Sequence, residues 1–477
     1  MNNIKNMAKF SQSNATHHDF LIGKVIFVVL LLSHISFQVA TCGSTVKFLP
    51  GFNGPLPFLL ETGYVGVGEK EEVQVFYYFI ESENNPKEDP LMLWLTGGPG
   101  CSALSGLVFE IANCNSGPIG FKREEYNGSL PNLILREHSW TKVSSIIFVD
   151  LPVSTGFTYA TTDSGSQRRD SIQIDQAHQF FRKWLIDHPK FQSNEVYISG
   201  DSYSGITLPV IVQEIIQANE KGIPPWINLQ VYVLGNPVTN KKEINYRIPF
   251  AHGTGLISDE LYESLQKNCN GDYTNSETKR VLCSKVLRSF EKAISEISIA
   301  LLEPLCTWLN TENSPRRSLI NKYHSKVSPL KCRNLPYKLS AYWANDDNVR
   351  KALHIRKGSI GKWQRCSFDI PYEEDIPSSF DYHVNLSRKG YRSLIYSGDH
   401  DMKVPLLDTK AWIKSLNYSI VDDWRSWYTN EQVSGYTRTY SNQMTFATVK
   451  GGGHTAPEFL PEECFAMFSR WISKRPL

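Results

Sequence analysis

The sequence predicts an α/β protein built on a mostly parallel central sheet, with a helical, disulfide-stapled insertion. Three observations carry this. Glu195 to Gly205 (E-V-Y-I-S-G-D-S-Y-S-G) reads as a short apolar strand ending in a sharp turn at Ser202, and an apolar helical stretch follows from Leu208 to Ile216. Apolar strand-like runs alternate with helical patterns on both sides of it. Between residues 241 and 345 that rhythm stops, and polar helical patterns hold four of the nine cysteines.

At 477 residues the chain is long enough for one large domain with an insertion. Hydrophobic content of 41% and charged content of 21% are globular values, and a formal net charge of +2 gives no electrostatic case for nucleic acid, which is dropped as a partner. Residues 1–42 read as a secretory signal peptide. Lys5, Lys9 and Lys24 precede an apolar run from Val25 to Leu32, and small residues follow at Ala40, Thr41 and Gly43. Cleavage is expected between Ala40 and Thr45. The apolar run is short for a spanning helix and no second one follows, so no stable membrane anchor is expected after cleavage. Secretion makes the sequons at Asn127, Asn385 and Asn417 expected glycan sites on surface loops. If Cys42 leaves with the leader, eight cysteines remain, an even number suited to disulfides in an oxidising compartment, with connectivity open. No C-x-x-C pair is present, and neither a metal nor a cofactor is expected.

Taken in order, Glu61 to Glu81 alternates strand formers with turns and predicts an antiparallel pair at a sheet edge. Leu91 to Leu95 (L-M-L-W-L) has the continuous apolar character of a strand covered on both faces, and it opens onto Thr96-Gly-Gly-Pro-Gly-Cys-Ser102. Ser145 to Val149 repeats that pattern. From Gln173 to His188, Ile174, Ala177, Phe180, Phe181, Trp184 and Leu185 recur at helical spacing on one face. Leu229 to Leu234 is the next strand. The core is then expected to cover 43–240 and 346–477, and the 241–345 insertion to lie over the crevice at the strands' C-terminal ends. Within the insertion, Asp259 to Gln266 and Val281 to Ala300 read as helical. Asn313 to Arg317 (N-S-P-R-R) reads as an exposed basic link open to a processing protease, which would give a two-chain form. The sheet resumes at Tyr391 to Tyr396, ending in Ser397-Gly-Asp-His-Asp401. A last strand, Met444 to Val449, leads into Lys450-Gly-Gly-Gly-His454.

The chemistry follows from strand ends. A serine on a strand–turn–helix is pushed out of the backbone as a nucleophile, although Ser204 stands where the second glycine of G-x-S-x-G would be. Glycines after a buried strand leave amides unobstructed, so the N–H groups of Gly98 and Tyr203 are candidate oxyanion donors. Asp399 or Asp401 can hold an imidazole in one tautomer, and His454 sits on a glycine-rich loop. Each taken singly has a bland reading: an ordinary glycine turn, or one of twelve histidines. Their joint order, serine then acid then histidine with a glycine donor upstream, is that of α/β-hydrolases, and it predicts that fold and a serine-nucleophile acyl-transfer or hydrolytic enzyme.

Thr96-Gly-Gly-Pro-Gly-Cys-Ser, Gly200-Asp-Ser-Tyr-Ser-Gly205, Ile395-Tyr-Ser-Gly-Asp-His-Asp401 and Gly452-Gly-His-Thr-Ala-Pro457 together resemble the plant serine carboxypeptidase-like (peptidase S10) family, over nearly everything after the leader. The resemblance implies a triad of Ser202, Asp401 and His454, so it chooses Asp401 over Asp399, with the Gly98 and Tyr203 amides as oxyanion hole. It implies disulfides Cys101–Cys366, Cys269–Cys283 and Cys306–Cys332, leaving Cys114 and Cys464 unassigned. The secretory leader gives an expected destination in the vacuole or outside the cell, with the choice open. Peptidase members typically show N-G-G-P-G and G-E-S-Y-A-G, whose asparagine and glutamate help bind the substrate's terminal carboxylate. Here Thr96 and Asp201 occupy those substrate-binding positions. Threonine has lost the amide donor and aspartate is one methylene shorter, which would leave that carboxylate imperfectly paired. These residues and His454-Thr-Ala-Pro-Glu-Phe resemble the branch that moves acyl groups from 1-O-β-glucose esters to alcohols. The expected partners are a small glucose-ester donor and an alcohol acceptor, and the alternative is a serine-type carboxypeptidase. Two departures stand out: Ala112 to Ser116 reads as a short segment inserted after Glu110-Ile111, and Leu151 and Ser154 stand where relatives usually have glutamine and glycine. They motivate a third reading, a catalytically impaired secreted homologue that acts by binding.

Overall fold

The computed structural model describes residues 43–111, 118–122, 126, 128–240, 244–273, 281–305 and 335–477. The expected leader, the sequon at Asn127, the 112–116 segment with Cys114, the Cys306–Cys332 pair and the 313–317 link lie outside these residues. Residues Gly43–Leu477 form one compact unit.

In chain order the strands are β1 (Gly43–Val46), β2 (Leu60–Val67), β3 (Val73–Ile80), β4 (Leu91–Leu95), β5 (Ile119–Phe121), β6 (Leu133–Leu135), β7 (Ser145–Val149), β8 (Tyr159–Ala160), β9 (Val196–Asp201), β10 (Leu229–Gly235), β11 (Arg392–Gly398), β12 (Ile420–Thr429), β13 (Gln432–Tyr440) and β14 (Met444–Val449). The main sheet runs β1-β2-β3-β7-β4-β9-β10-β11-β14-β13-β12. Its centre, from β7 through β4, β9, β10 and β11 to β14, is parallel. Both flanks are antiparallel. This is the α/β-hydrolase arrangement expected from the motif order. β4 and β7 are buried at every position because helices cover both faces of a parallel sheet, which is why they read as unbroken apolar runs.

Two helices frame the elbow. The first, α1 (Asp170–Asp187), buries Ile174, Ala177, Phe180, Phe181, Trp184 and Leu185, the face that the spacing predicts. The second, α2 (Ser204–Glu220), starts earlier than the expected Leu208 and passes through Pro209. Pro209 has no N–H to give to the Gly205 carbonyl one turn back, and Ser379 Oγ donates to that carbonyl instead at 2.6 Å.

Three differences from expectation have physical causes. The β2–β3 pair is not at an edge, because β1 adds to β2 and β7 to β3. The hairpin β12–β13 has no counterpart in the sequence reading. It is a half-exposed ribbon whose charged and polar residues hide its strand character, and its turn, Asn430-Glu431, takes positive φ at both positions, 49° and 63°. Finally, the insertion's helices α3 (Ile244–Gly253), α4 (Asp259–Cys269) and α5 (Val281–Ala293) share a small core of Ile248, Phe250, Leu265, Phe290 and Ile294, pinned by the Cys269–Cys283 disulfide. Helix α6 (Leu335–Ala344), inside the range assigned to the insertion, instead packs Leu335, Leu339 and Trp343 into the main core. Trp343 Nε1 donates to the Pro50 carbonyl at 2.7 Å. Rhythm alone could not separate a helix lying on the insertion from one lying on the sheet.

Of the described sequons, Asn417 is exposed just beyond a helix end, whereas Asn385 is exposed within the helix Phe380–Arg388 and not on a loop. Among the described residues no helix is long and apolar enough to cross a membrane.

Candidate active site

The elbow is built by close approach. Ser202 follows β9 directly and has φ of 54°, a left-handed conformation disfavoured for a side chain and held by its surroundings. Its amide donates to the Gly235 carbonyl at 2.9 Å, and its own carbonyl accepts from Gly205 and Val238 at 3.0 and 2.9 Å. A Cβ on Gly200 would lie 2.4 Å from the Leu95 carbonyl oxygen, and one on Gly205 2.5 Å from that of Val238, so both must be glycine. Ser204, the departure from the motif, donates its hydroxyl to the Asp201 carbonyl at 2.6 Å and closes the turn.

The serine, acid and histidine meet at the C-terminal ends of β9, β11 and β14. Ser202 Oγ lies 2.8 Å from His454 Nε2, and His454 Nδ1 lies 2.7 Å from Asp401 Oδ2. All three are buried. Asn236, at the end of β10, donates to the same Asp401 oxygen at 2.8 Å, while the amides of Lys403 and Val404 donate to its other oxygen at 2.7 and 3.2 Å. Asp399 lies elsewhere, accepting from the Gly451 amide at 2.6 Å, so it shapes the histidine loop without touching the imidazole.

The glycine loop after β4 lies against the elbow, because β4 pairs with β9 up to Leu95 and Gly200. A Cβ on Gly97 would come within 2.7 Å of Ser202 Cβ and 2.8 Å of the Tyr203 nitrogen. Gly98 has φ of 129° and lines the cleft beside Ser202. Among the described residues neither the Gly98 nor the Tyr203 amide donates to another protein group, leaving both for an oxyanion. Tyr203 is anchored from the far side, its hydroxyl donating to Asp170 Oδ1 at 2.9 Å. Asp150 braces the loop from below, accepting from Ser102 Oγ at 2.8 Å and from the amides of Ala103 and Phe157 at 2.7 and 2.8 Å.

Thr96 and Asp201 line the same cleft, with the Thr96 hydroxyl and one Asp201 oxygen engaged. Thr96 Oγ1 donates to Glu110 Oε2 at 3.0 Å, and Asp201 Oδ1 accepts the Gly97 amide at 3.0 Å. Burial pushes the Glu110 carboxyl well above its ordinary range, and the nearby charge of Asp201 adds to that, with Arg365 opposing. Burial raises Asp201 as well, against the pull of His454.

Sequence reasoning missed Glu110 as a site residue, and also Arg365, Tyr337 and Lys403, all of which line the cleft. Arg365 lies over the Tyr337 ring at 4.2 Å, and Tyr337 donates to both oxygens of Glu458, at 2.8 and 2.6 Å. One signal was available: Arg365 precedes Cys366, whose disulfide with Cys101 ties it to the oxyanion loop. Ser298, Ala300, Leu301 and Glu303 of the insertion line the cleft from another side. Ser154 has φ of 64°, the conformation a glycine would adopt without strain.

The serine carboxypeptidase family profile matches residues 50–474. Serine carboxypeptidase-like 7 of Arabidopsis thaliana is 54% identical over 454 residues, covering 94% of this chain and 98% of that protein. Serine carboxypeptidase-like 2 of the same plant is 55% identical over 458 residues, covering 95% and 98%. Among solved structures, the prohormone-processing carboxypeptidase Kex1(Δ)p of Saccharomyces cerevisiae superposes with a TM-score of 0.68 at 19% identity, covering 91% of this chain and 96% of that one. At that identity the likeness shows the fold alone.

Proposed function

Because the chain belongs to the serine carboxypeptidase family, we propose that it uses this serine-enzyme site to move an acyl group from a 1-O-β-glucose ester to an acceptor alcohol. The observation that carries the choice is the inward engagement of Thr96 and Asp201. The Thr96 hydroxyl is spent on Glu110, so that position offers no free donor for a terminal carboxylate, and Asp201 commits one oxygen to the Gly97 amide.

In this reading Ser202 Oγ attacks the ester carbonyl as its proton passes to His454 Nε2, and Asp401 stabilises the imidazolium through Nδ1–H. The carbonyl oxygen becomes an oxyanion facing the Gly98 and Tyr203 amides. Its collapse breaks the bond to glucose, which leaves with the proton from His454, and an acyl-Ser202 ester remains. The acceptor hydroxyl then gives its proton to His454 and attacks that ester, releasing the new ester and restoring Ser202. Transfer exceeds hydrolysis when the acceptor is positioned and water is restricted, and the insertion residues that line the cleft suit that role.

Purified protein incubated with a panel of acylglucoses and alcohols should form new esters, and Ser202→Ala should form none. Release of C-terminal amino acids from blocked dipeptides without ester synthesis would overturn the reading in favour of the carboxypeptidase alternative. One observation favours that alternative: Arg365 brings a cation into the cleft that a terminal carboxylate could approach. The impaired-homologue reading is disfavoured by the intact hydrogen bonds of Ser202, His454 and Asp401, and it predicts that a serine-directed phosphonate leaves Ser202 unlabelled. A secretory destination, vacuole or extracellular space, is supported by the disulfides Cys101–Cys366 and Cys269–Cys283, which persist in oxidising compartments. Imaging of a fluorescent fusion tests it, and mass analysis of the purified chain tests the two-chain form.

A further inference from the structure

Lys403 sits two residues beyond the catalytic acid, and its side chain lines the cleft together with Ser202 and His454. Its backbone is fixed at both ends. The amide donates to Asp401 Oδ1 at 2.7 Å, and the carbonyl accepts from Arg247 Nε and Nη2 at 3.2 and 3.0 Å. Arg247 belongs to α3, so the insertion helps to place this lysine.

The ammonium itself makes no hydrogen bond and no ion pair among the described residues. The neighbouring acids explain why. Asp401 has both oxygens filled, one by the Lys403 and Val404 amides and the other by Asn236 and His454. Asp201 has one oxygen on the Gly97 amide and acts on Lys403 through its charge alone, without a hydrogen bond or ion pair to it. Burial pulls the lysine's pKa below its ordinary value, Asp401 opposes this, and Arg365 adds like-charge repulsion. A half-buried ammonium with no hydrogen-bond acceptor is costly unless something supplies one. In a substrate cleft that something is the substrate.

We propose that Lys403 is a specificity residue that selects a substrate bearing a carboxylate, on either the transferred acyl group or the acceptor. The inference rests on the reading of Ser202 as an acyl-transfer nucleophile and adds the charge of what is transferred or received. A charge-assisted hydrogen bond to a preplaced ammonium favours the anion over its neutral isostere by about 10- to 100-fold in kcat/KM.

Two matched pairs test this in the full-length secreted protein. For the acyl group the pair is mono-p-nitrophenyl adipate and its methyl ester. For the acceptor it is lactate and lactamide, each capturing the acetyl group of p-nitrophenyl acetate. The wild type should prefer the carboxylate member of at least one pair by the stated factor. Lys403→Met should shrink that preference to about threefold or less, chiefly by lowering the rate with the carboxylate member. Preference in the adipate pair assigns the anion to the donor, and preference in the lactate pair assigns it to the acceptor. Absence of preference in both pairs, or a preference that survives in K403M, overturns the inference. If K403M also loses the neutral rate, Lys403→Arg decides: retained preference supports the role of charge, and lost preference overturns it. A Lys403-dependent adipate preference without ester formation on either acceptor would sink the transferase reading and leave this inference standing. Esters formed equally well on charged and neutral partners would do the reverse.

Discussion

The backbone amide of His454 donates to the carbonyl of Ala300 at 2.7 Å, so the insertion holds the catalytic histidine's own peptide. The adjacent Ile299 carbonyl accepts from the Met402 amide at 2.9 Å, next to the catalytic acid. One short strap therefore bridges the acid loop and the histidine loop. Gly453 makes this possible: a Cβ there would lie 2.3 Å from the Ala300 carbonyl oxygen and 2.7 Å from Leu301 Cδ1. Gly453→Ala should displace the strap, lowering kcat by about 10- to 100-fold at near-normal thermal stability. Stopped-flow acylation by p-nitrophenyl acetate would measure it.

Two aspartates separated by one residue should behave very differently. Asp401 orients the imidazole and Asp399 holds the Gly451 amide. Asp401→Asn should cost on the order of 10⁴ in kcat through the wrong histidine tautomer. Asp399→Asn, which keeps an acceptor for Gly451, should cost less than about tenfold. Equal losses in parallel kinetics would contradict the assignment.

Gly97 packs its Cα against the elbow, and any Cβ would meet Ser202 Cβ, the Asp201 carbonyl and the Tyr203 amide at 2.7, 2.8 and 2.8 Å. Backbone must move to admit it. Gly97→Ala is expected to lower kcat by at least about 100-fold with KM little changed, because an oxyanion donor is displaced while ground-state binding survives.

Asp150 makes part of the stability pH-dependent. Burial pushes its pKa up to about 6, partly offset by its three donors. An unfolded aspartate titrates at about 3.9. Between these values the folded protein holds a proton that the unfolded chain has released. This contribution is therefore full below about pH 4 and lost as pH rises through about 6, on the order of 3 kcal/mol in all. Denaturation at pH 4 and pH 7 should show a smaller difference in Asp150→Asn than in the wild type.

The disulfides should not be equivalent. Cys101–Cys366 spans 265 residues and is flanked by hydrogen bonds from Ser102 N to the Arg365 carbonyl and from Ser367 N to the Gly100 carbonyl, at 2.7 and 2.8 Å. Cys269–Cys283 spans 14 and staples only the insertion. Replacing the first pair by alanines should cost about 2–5 kcal/mol and reduce kcat as well. Replacing the second should chiefly lower stability. Thermal melts paired with ester kinetics distinguish the two.

Much of this architecture was legible because its signals are local. A strand buried on both faces is an unbroken apolar run, as in Leu91–Leu95, and a strained elbow needs small residues at fixed offsets, as in Gly200 and Gly205. The order of Ser202, Asp401 and His454 placed all three at ends of parallel strands. The β12–β13 hairpin was not legible, since a half-exposed ribbon carries charges where a buried strand carries aliphatics. Nor was the allegiance of Leu335–Ala344, because an apolar helix face does not name the surface it covers.

By itself, the sequence determined the fold class and singled out Ser202, His454 and, through family resemblance, Asp401 over its neighbour, the three residues that the structure brings into hydrogen-bond contact. Tertiary structure decided what surrounds them. It brought the insertion's Ala300 to the histidine loop, Arg365 to the oxyanion loop through a disulfide, and Lys403 into the cleft beside an Asp401 whose oxygens are already occupied. The reason is physical: strand and turn chemistry is fixed within a few residues, whereas whether a charge is paired depends on groups that only folding brings within about 4 Å.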